Sequence, residues 1–171
     1  MKLKGIRGVL LDLSGTLYSG DQRIEGTRRA LASLKELGIG YRFLTNTTTK
    51  PRSRLKERLE EMGLHEDESW ILTPFAAARE RLRQDACETV FPLIADEVRG
   101  DLGALRVVET APDAVLIGDL GAGFSYDILN RSFRHLADGA RFYALARNRV
   151  FESGGELFLD LGPFVKALEY A

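Results

Sequence analysis

Val9-Leu10-Leu11-Asp12-Leu13-Ser14-Gly15-Thr16-Leu17-Tyr18 runs from three consecutive apolar side chains into one carboxylate and then a turn of small polar residues. A short apolar run closed by a turn reads as a buried strand, here over residues 6–12. Asp12 then falls at the carboxyl end of that strand, where open parallel sheets gather their ligand-binding groups. Two residues further on, where a second carboxylate would supply a proton, stands Ser14.

The same alternation repeats downstream. A helix over residues 26–37 has Ala30, Leu31, Leu34 and Leu37 on one face and stops at Gly38, a residue suited to the left-handed position after a helix. Tyr41–Leu44 reads as a second strand running into Thr45-Asn46-Thr47-Thr48-Thr49. Pro51 then suits the first turn of a helix marked by Leu55, Leu59 and Met62 and closed by Gly63. Trp70–Leu72 reads as a third strand, followed after Thr73 and Pro74 by a helix carrying Phe75, Ala78 and Leu82. Strand–helix repeated in this way predicts an α/β fold with a doubly wound, Rossmann-like parallel sheet, with Asp12, Thr45 and Thr73 at one end. From residue 86 the texture changes. Thr89–Ala95, Arg106–Val108, Ala114–Ile117 and Phe142–Ala146 read as strands, Phe124–Leu136 as a helix, and Val150–Phe158 as a hairpin turning at Gly154-Gly155. The expected organisation is residues 1–85 as one unit, 86–162 as a second α/β lobe, and 163–171 as the start of a last helix.

Composition narrows the classes. With 171 residues, 44% hydrophobic and 29% charged, the chain can build a globular core. A net charge of −1 gives no reason to expect nucleic acid or a membrane surface as partner. One cysteine, Cys87, precludes an internal disulfide or a cysteine-rich zinc site, and two histidines make a histidine metal cage improbable. The apolar run ending at Asp12 is too short for a secretory leader, and no segment reaches the roughly 20 apolar residues of a membrane span. A cytoplasmic location is therefore the default expectation.

Taken alone, Asp12 could be a cap, a turn former or a surface carboxylate, and Thr45-Asn46 could be capping groups for the helix after Pro51. Together at adjacent strand ends they suit phosphoryl chemistry. Ser14 and Gly15 are expected to offer backbone N–H groups to an anion. A carboxylate can attack phosphorus and form an aspartyl-phosphate, splitting hydrolysis into two easier steps. Thr45 and Asn46 can donate to phosphoryl oxygens as charge develops, and Mg²⁺ would screen carboxylate from phosphate.

Strand, Asp12-Leu13-Ser14-Gly15-Thr16-Leu17, strand, Thr45-Asn46 resembles the first two motifs of the haloacid dehalogenase-like phosphatases. The Thr-Asn pair and the lobe inserted after the third strand resemble subfamily II-A with a C2 cap. Phe124-Ser125-Tyr126-Asp127-Ile128-Leu129-Asn130 and Gly162–Ala171 are similar to one branch of it, in which serine is normal at the position of Ser14. The resemblance implies Asp12 as nucleophile, and Asp12 with the Ser14 carbonyl as Mg²⁺ ligands. Leu13, Ser14, Gly15, Thr45 and Asn46 would bind the phosphate of a small phosphorylated substrate or pyrophosphate. It also allows a homodimer through the lobe.

Ser14 lacks the proton that an aspartate supplies to a leaving group, so pyrophosphate and phosphoramidates are expected over alkyl esters. The family's third and fourth motifs, a lysine and an acidic pair, have no match before Ala171. Asp119 reads instead as a strand-end residue of the lobe and Lys166 as a surface lysine. The expectation is the N-terminal part of a phosphatase. The alternatives are an inactive fragment of one or a non-catalytic binding or assembly protein. His65 reads as a loop residue, His135 as surface or packing, and Arg79, Arg81 and Arg83 as a solvated helix face.

Overall fold

The computed structural model describes residues 5–171. Met1–Lys4, which open the segment read as too short for a leader, lie outside the described residues. The chain forms two compact units: residues up to Asn46 with Arg52–Thr73, and Thr47–Pro51 with Pro74–Ala171.

In the first unit β1 (Gly8–Asp12) is followed by a small hairpin of β2 (Tyr18–Ser19) and β3 (Gln22–Arg23). Then come α1 (Thr27–Glu36), β4 (Gly40–Leu44), α2 (Arg52–Glu61) and β5 (Ile71–Leu72). The parallel sheet has the order β1-β4-β5. Pairing of Val9 with Tyr41, Leu11 with Phe43 and Phe43 with Ile71 sets one face against Leu31, Leu55 and Leu59 of the helices. Gly38, at φ 66°, ends α1 as expected, its N–H donating to the Lys35 carbonyl at 3.0 Å. Trp70 is not in the third strand; it closes a 3-10 turn and meets Tyr41 edge-on at 5.4 Å.

Among the described residues β1 lies at an edge of its sheet, with Val9 and Leu11 half-buried on one face and the other face open. Leu10 is 61% exposed, and Leu44 and Leu72 share that open side at 44% and 37%. Consecutive apolar residues permit burial on both faces but do not supply the second cover.

The second unit contains α3 (Pro74–Gln84), β6 (Thr89–Leu93), a 3-10 segment (Asp96–Leu102), β7 (Arg106–Val107) and β8 (Ala114–Ile117). It continues with α4 (Tyr126–Ala137), β9 (Arg141–Ala144), β10 (Val150–Ser153), β11 (Glu156–Leu159) and α5 (Leu161–Tyr170). Its parallel sheet has the order β7-β6-β8-β9. Val90, Phe91, Leu93 and all of β8 are buried. Phe75 and Leu82 of α3 pack in one layer with Val98 and Leu102, and Leu161, Val165 and Leu168 of α5 pack in another with Ile128 and Leu129. α3 and α5 thus belong to this unit's core. Pro92 has no N–H to continue pairing with β7, which stops at Val90. The β10–β11 turn is as read: Gly154 and Gly155 have φ of 61° and 83°, the pair of positive values a two-residue turn of this kind needs.

Asp113, just before β8, ties the two central strands together. Its carboxylate accepts from the Glu88 and Thr89 N–H groups and the Thr89 hydroxyl at 2.9, 2.8 and 2.7 Å. These bonds, the Thr89 hydroxyl first, hold its carboxyl below the ordinary 3.8. A carboxylate with a depressed native pKa stabilises the fold above its unfolded pKa. That contribution fades as pH falls through the native value. We therefore expect the Thr89 and Glu88 amides to lose hydrogen-exchange protection only below about pH 3.8. Asp113→Asn should remove that acid dependence.

Candidate active site

The turn after β1 is held by backbone and by two buried anchors. Leu13 is 0% and Leu17 4% exposed. The Leu13 carbonyl accepts from Leu17 N–H at 2.9 Å and Tyr18 N–H at 3.3 Å. Gly15, at φ 83°, lets the chain reverse, and its N–H donates to the Tyr18 carbonyl at 2.7 Å. That last bond corrects one expectation: the Gly15 N–H serves the turn and does not face an anion. Among the described residues the Ser14 N–H has no such partner, so of these two donors it is the one left for a ligand.

Asp12 closes β1 in register with Leu44, and Leu44 with Leu72. Thr45 and Thr73 therefore follow at the same end of the sheet, on strands that stand about 4.8 Å apart. Thr45 N–H donates to the Leu72 carbonyl at 3.1 Å, which fixes the end of β4 to the end of β5. Thr45 and Thr73 are buried, at 8% and 4% exposure, whereas Asp12, Ser14, Gly15 and Asn46 are exposed. The residues read from sequence thus converge on one edge: a carboxylate, a free N–H, an amide and two hydroxyl-bearing strand ends.

The β2–β3 hairpin was not legible in the hydrophobic pattern. It stands directly after the Asp12 turn, and the two-residue Gly20-Asp21 loop is the signal that marks it. Arg58 of α2 pins this hairpin. Its guanidinium bonds the Gly20 carbonyl and Asp21, the latter at 2.9 Å, and lies 4.9 Å from the centre of the Tyr18 ring. Burial raises the Tyr18 phenol above its ordinary 10.0; the Arg58 charge opposes this and the Asp12 charge adds to it. Tyr18 therefore feels both charges.

The remaining candidates lie elsewhere. Asp119 accepts the Gly121 N–H at 2.8 Å in a turn after β8, as a strand-end residue does. Lys166 pairs with Glu169 at 2.5 Å. His135 packs its ring 4.8 Å from Phe91, and His65 is exposed in a loop. Arg81 and Arg83 form helix-surface pairs with Asp85 and Glu80. No group of three His, Cys, Asp or Glu residues able to hold a metal occurs among the described residues. No helix among them is long and apolar enough to cross a membrane.

A family profile described as haloacid dehalogenase-like hydrolase matches residues 9–106. The bovine haloacid dehalogenase-like hydrolase domain-containing protein 2 is 37% identical over 168 residues, covering 98% of this chain. The bovine phospholysine phosphohistidine inorganic pyrophosphate phosphatase is 36% identical over 176 residues, covering 99%. The chain spans 64% of the length of each relative. Two solved structures share the fold at 24% identity, each with a TM-score of 0.85, covering 96% of this chain and 64% of their own. They are a 4-nitrophenylphosphatase of Thermotoga maritima and a p-nitrophenyl phosphatase of Archaeoglobus fulgidus. On the profile match across the Asp12 turn and both following strand ends, the chain belongs to the haloacid dehalogenase-like hydrolase family.

Proposed function

We propose that this chain carries the attacking half of a Mg²⁺-dependent phosphohydrolase that uses Asp12 as nucleophile and favours pyrophosphate or phosphoramidate substrates. The observation that carries the reading is the exposed Asp12 carboxylate at the end of β1, set in register beside the Thr45-Asn46 end of β4. A carboxylate oxygen forms a bond to phosphorus as the bond to the leaving group breaks, giving an aspartyl-phosphate. Water then attacks phosphorus, releasing phosphate and restoring the carboxylate. The Thr45 hydroxyl, Asn46 amide and Ser14 N–H are suited to hold the phosphoryl oxygens.

Two hard oxygens, the Asp12 carboxylate and the Ser14 carbonyl, fit a Mg²⁺ ion, which takes few protein ligands and keeps several waters. When bound, the ion would neutralise charge between carboxylate and phosphate. Residues 86–162 are read as a C2-type cap that selects substrate, in a cytoplasmic protein with an option to dimerise through that lobe. The similarity to a relative named for phospholysine, phosphohistidine and pyrophosphate supports the substrate class.

Ser14 gives the test. A general acid is typically worth about 10²–10⁴-fold for a poor leaving group. Ser14→Asp is therefore expected to raise turnover of an alkyl phosphomonoester relative to pyrophosphate, by at least about tenfold. Phosphate release from both substrates, with and without Mg²⁺, measures it. A pyrophosphate preference that grows in the variant sinks the acid argument. A parent protein that binds but never releases phosphate favours the binding-protein reading.

A further inference from the structure

The β2–β3 hairpin acts on the Asp12 turn through one backbone bridge. Ser14 and Tyr18 pair as an isolated parallel bridge. Its two bonds are made by the neighbours of Ser14: Tyr18 N–H donates to the Leu13 carbonyl at 3.3 Å, and Gly15 N–H to the Tyr18 carbonyl at 2.7 Å. In a parallel pairing of this kind the bridged residue's own N–H and carbonyl face away from its partner. Among the described residues neither of those Ser14 groups has a backbone partner. The place of Tyr18 therefore decides which way the Ser14 N–H and carbonyl point.

The hairpin does not hold that place by itself. It has two residues in each strand, too few to be stable alone. The Tyr18 ring enters the core with Leu13, Leu17, Leu55 and Leu59, which fixes its depth. The base is tied at Leu17, whose carbonyl accepts from the Ile24 N–H at 3.0 Å and the Thr27 hydroxyl at 3.1 Å. Arg58 holds the tip. Its guanidinium donates to the Gly20 carbonyl and, at 2.9 Å, to Asp21, and lies 4.9 Å from the centre of the Tyr18 ring. Leu55 and Leu59 of the same helix are buried, so the guanidinium works from a fixed platform. The hold has a cost. The Arg58 Nε is buried without a hydrogen-bond partner, which is unfavourable. An apolar side chain would fill the space without that penalty, so packing alone does not call for arginine here.

We propose that Arg58 is a positioning residue for the Asp12 turn. It keeps Tyr18 on its bridge and so keeps the Ser14 N–H and carbonyl directed outward, towards a phosphoryl group and a metal ion. The ligands rest on the reading of Asp12 and Ser14 given above; the hold on the turn does not. A lysine would bring the charge without the planar fork that meets Gly20, Asp21 and the Tyr18 face together.

Hydrogen exchange of the 171-residue protein, with Mg²⁺ alone as the added probe, tests both halves. Arg58→Met is expected to lower protection of the Gly15 amide by about tenfold or more, the scale of a lost charge-assisted hydrogen bond. The Thr45 amide, bonded to the Leu72 carbonyl, should keep its protection. Arg58→Lys should behave as Arg58→Met. Asp21→Asn removes one exposed charge and should cost Gly15 about two- to fivefold; it carries the test should Arg58→Met unfold the first unit. Unchanged Gly15 protection in the folded variants, or full retention in Arg58→Lys, overturns the proposal. In the parent, Mg²⁺ should shift the Ser14 and Gly15 amides saturably. Arg58→Met should weaken that binding by about tenfold, the usual effect of removing support from a metal ligand. An Mg²⁺ affinity untouched by Arg58→Met also overturns the proposal. A parent that ignores Mg²⁺ ends the metal reading of Ser14, and the Gly15 exchange then decides the role of Arg58 by itself.

Discussion

On the proposed function, Asp12→Asn in a polypeptide that carries the complete site is expected to lower pyrophosphate hydrolysis by on the order of 10⁴-fold or more, the scale seen when an attacking group is removed from an enzyme whose binding groups remain. The amide has the size of the carboxylate but no anionic oxygen to bond phosphorus. The fold should not notice the exchange. Asp12 is exposed, and among the described residues its side chain makes no hydrogen bond. The turn it opens is held instead by the Leu13 carbonyl and by buried Leu13 and Leu17. One physical side effect checks that the substitution acts where intended. The Asp12 charge contributes to the raised pKa of Tyr18, so the phenol should titrate at lower pH in the variant. Phosphate release, the circular dichroism spectrum and the tyrosine titration together give the answer. A variant that keeps a tenth of the parent activity removes Asp12 from the role of nucleophile. Lost activity with a disordered β1 would show a structural role instead.

The placement of Asp12, Thr45 and Asn46 at strand ends is legible because its signals are local. An apolar run ending in Asp12 places that residue at a strand end whatever else surrounds it, and Thr45-Asn46 ends the next strand by the same logic. Gly38, Gly63 and Gly154-Gly155 mark their boundaries because a positive φ is cheap only there, and all four adopt one. What the pattern could not give is set by partners distant in sequence. Whether Leu10 is covered depends on a second layer, and the run Val9–Leu11 is the same in either case. That α3 packs with Val90 and Leu116 depends on which sheet its Phe75–Leu82 stripe meets, and the stripe itself only says helix. Sequence leaves the Gly15 N–H open to a ligand because the β2–β3 hairpin, with strands of two residues each, is below the length at which alternation can be seen. Its return at Tyr18 takes that donor.

Phe43→Ala should be the most damaging single change to the scaffold beneath the candidate site. Phe43 is 0% exposed in the central strand of the first sheet, opposite Leu11 on one side and Ile71 on the other, with its ring 5.7 Å from that of Tyr41. Truncating such a phenylalanine typically costs about 3–5 kcal/mol, part lost burial and part residual cavity. A domain has only about 5–15 kcal/mol in hand. The first unit's core is separate from the two hydrophobic layers of the second unit, so the loss should be local. Hydrogen exchange should show Leu11, Leu44 and Thr45 amides losing protection while Phe91, Leu93 and Leu116 keep theirs. Leu10→Ala, one residue from Leu11 but on the open face, is the control. Little of that side chain leaves water on folding, so its cost should stay below about 1 kcal/mol. Equal loss in both units would mean that the two cores unfold together. A large cost at Leu10 would mean that the open face is covered in solution. Since β4 delivers Thr45 and Asn46, a Phe43→Ala protein that still folds should bind phosphate more weakly in step with its lost protection, the link expected if the sheet end is the site.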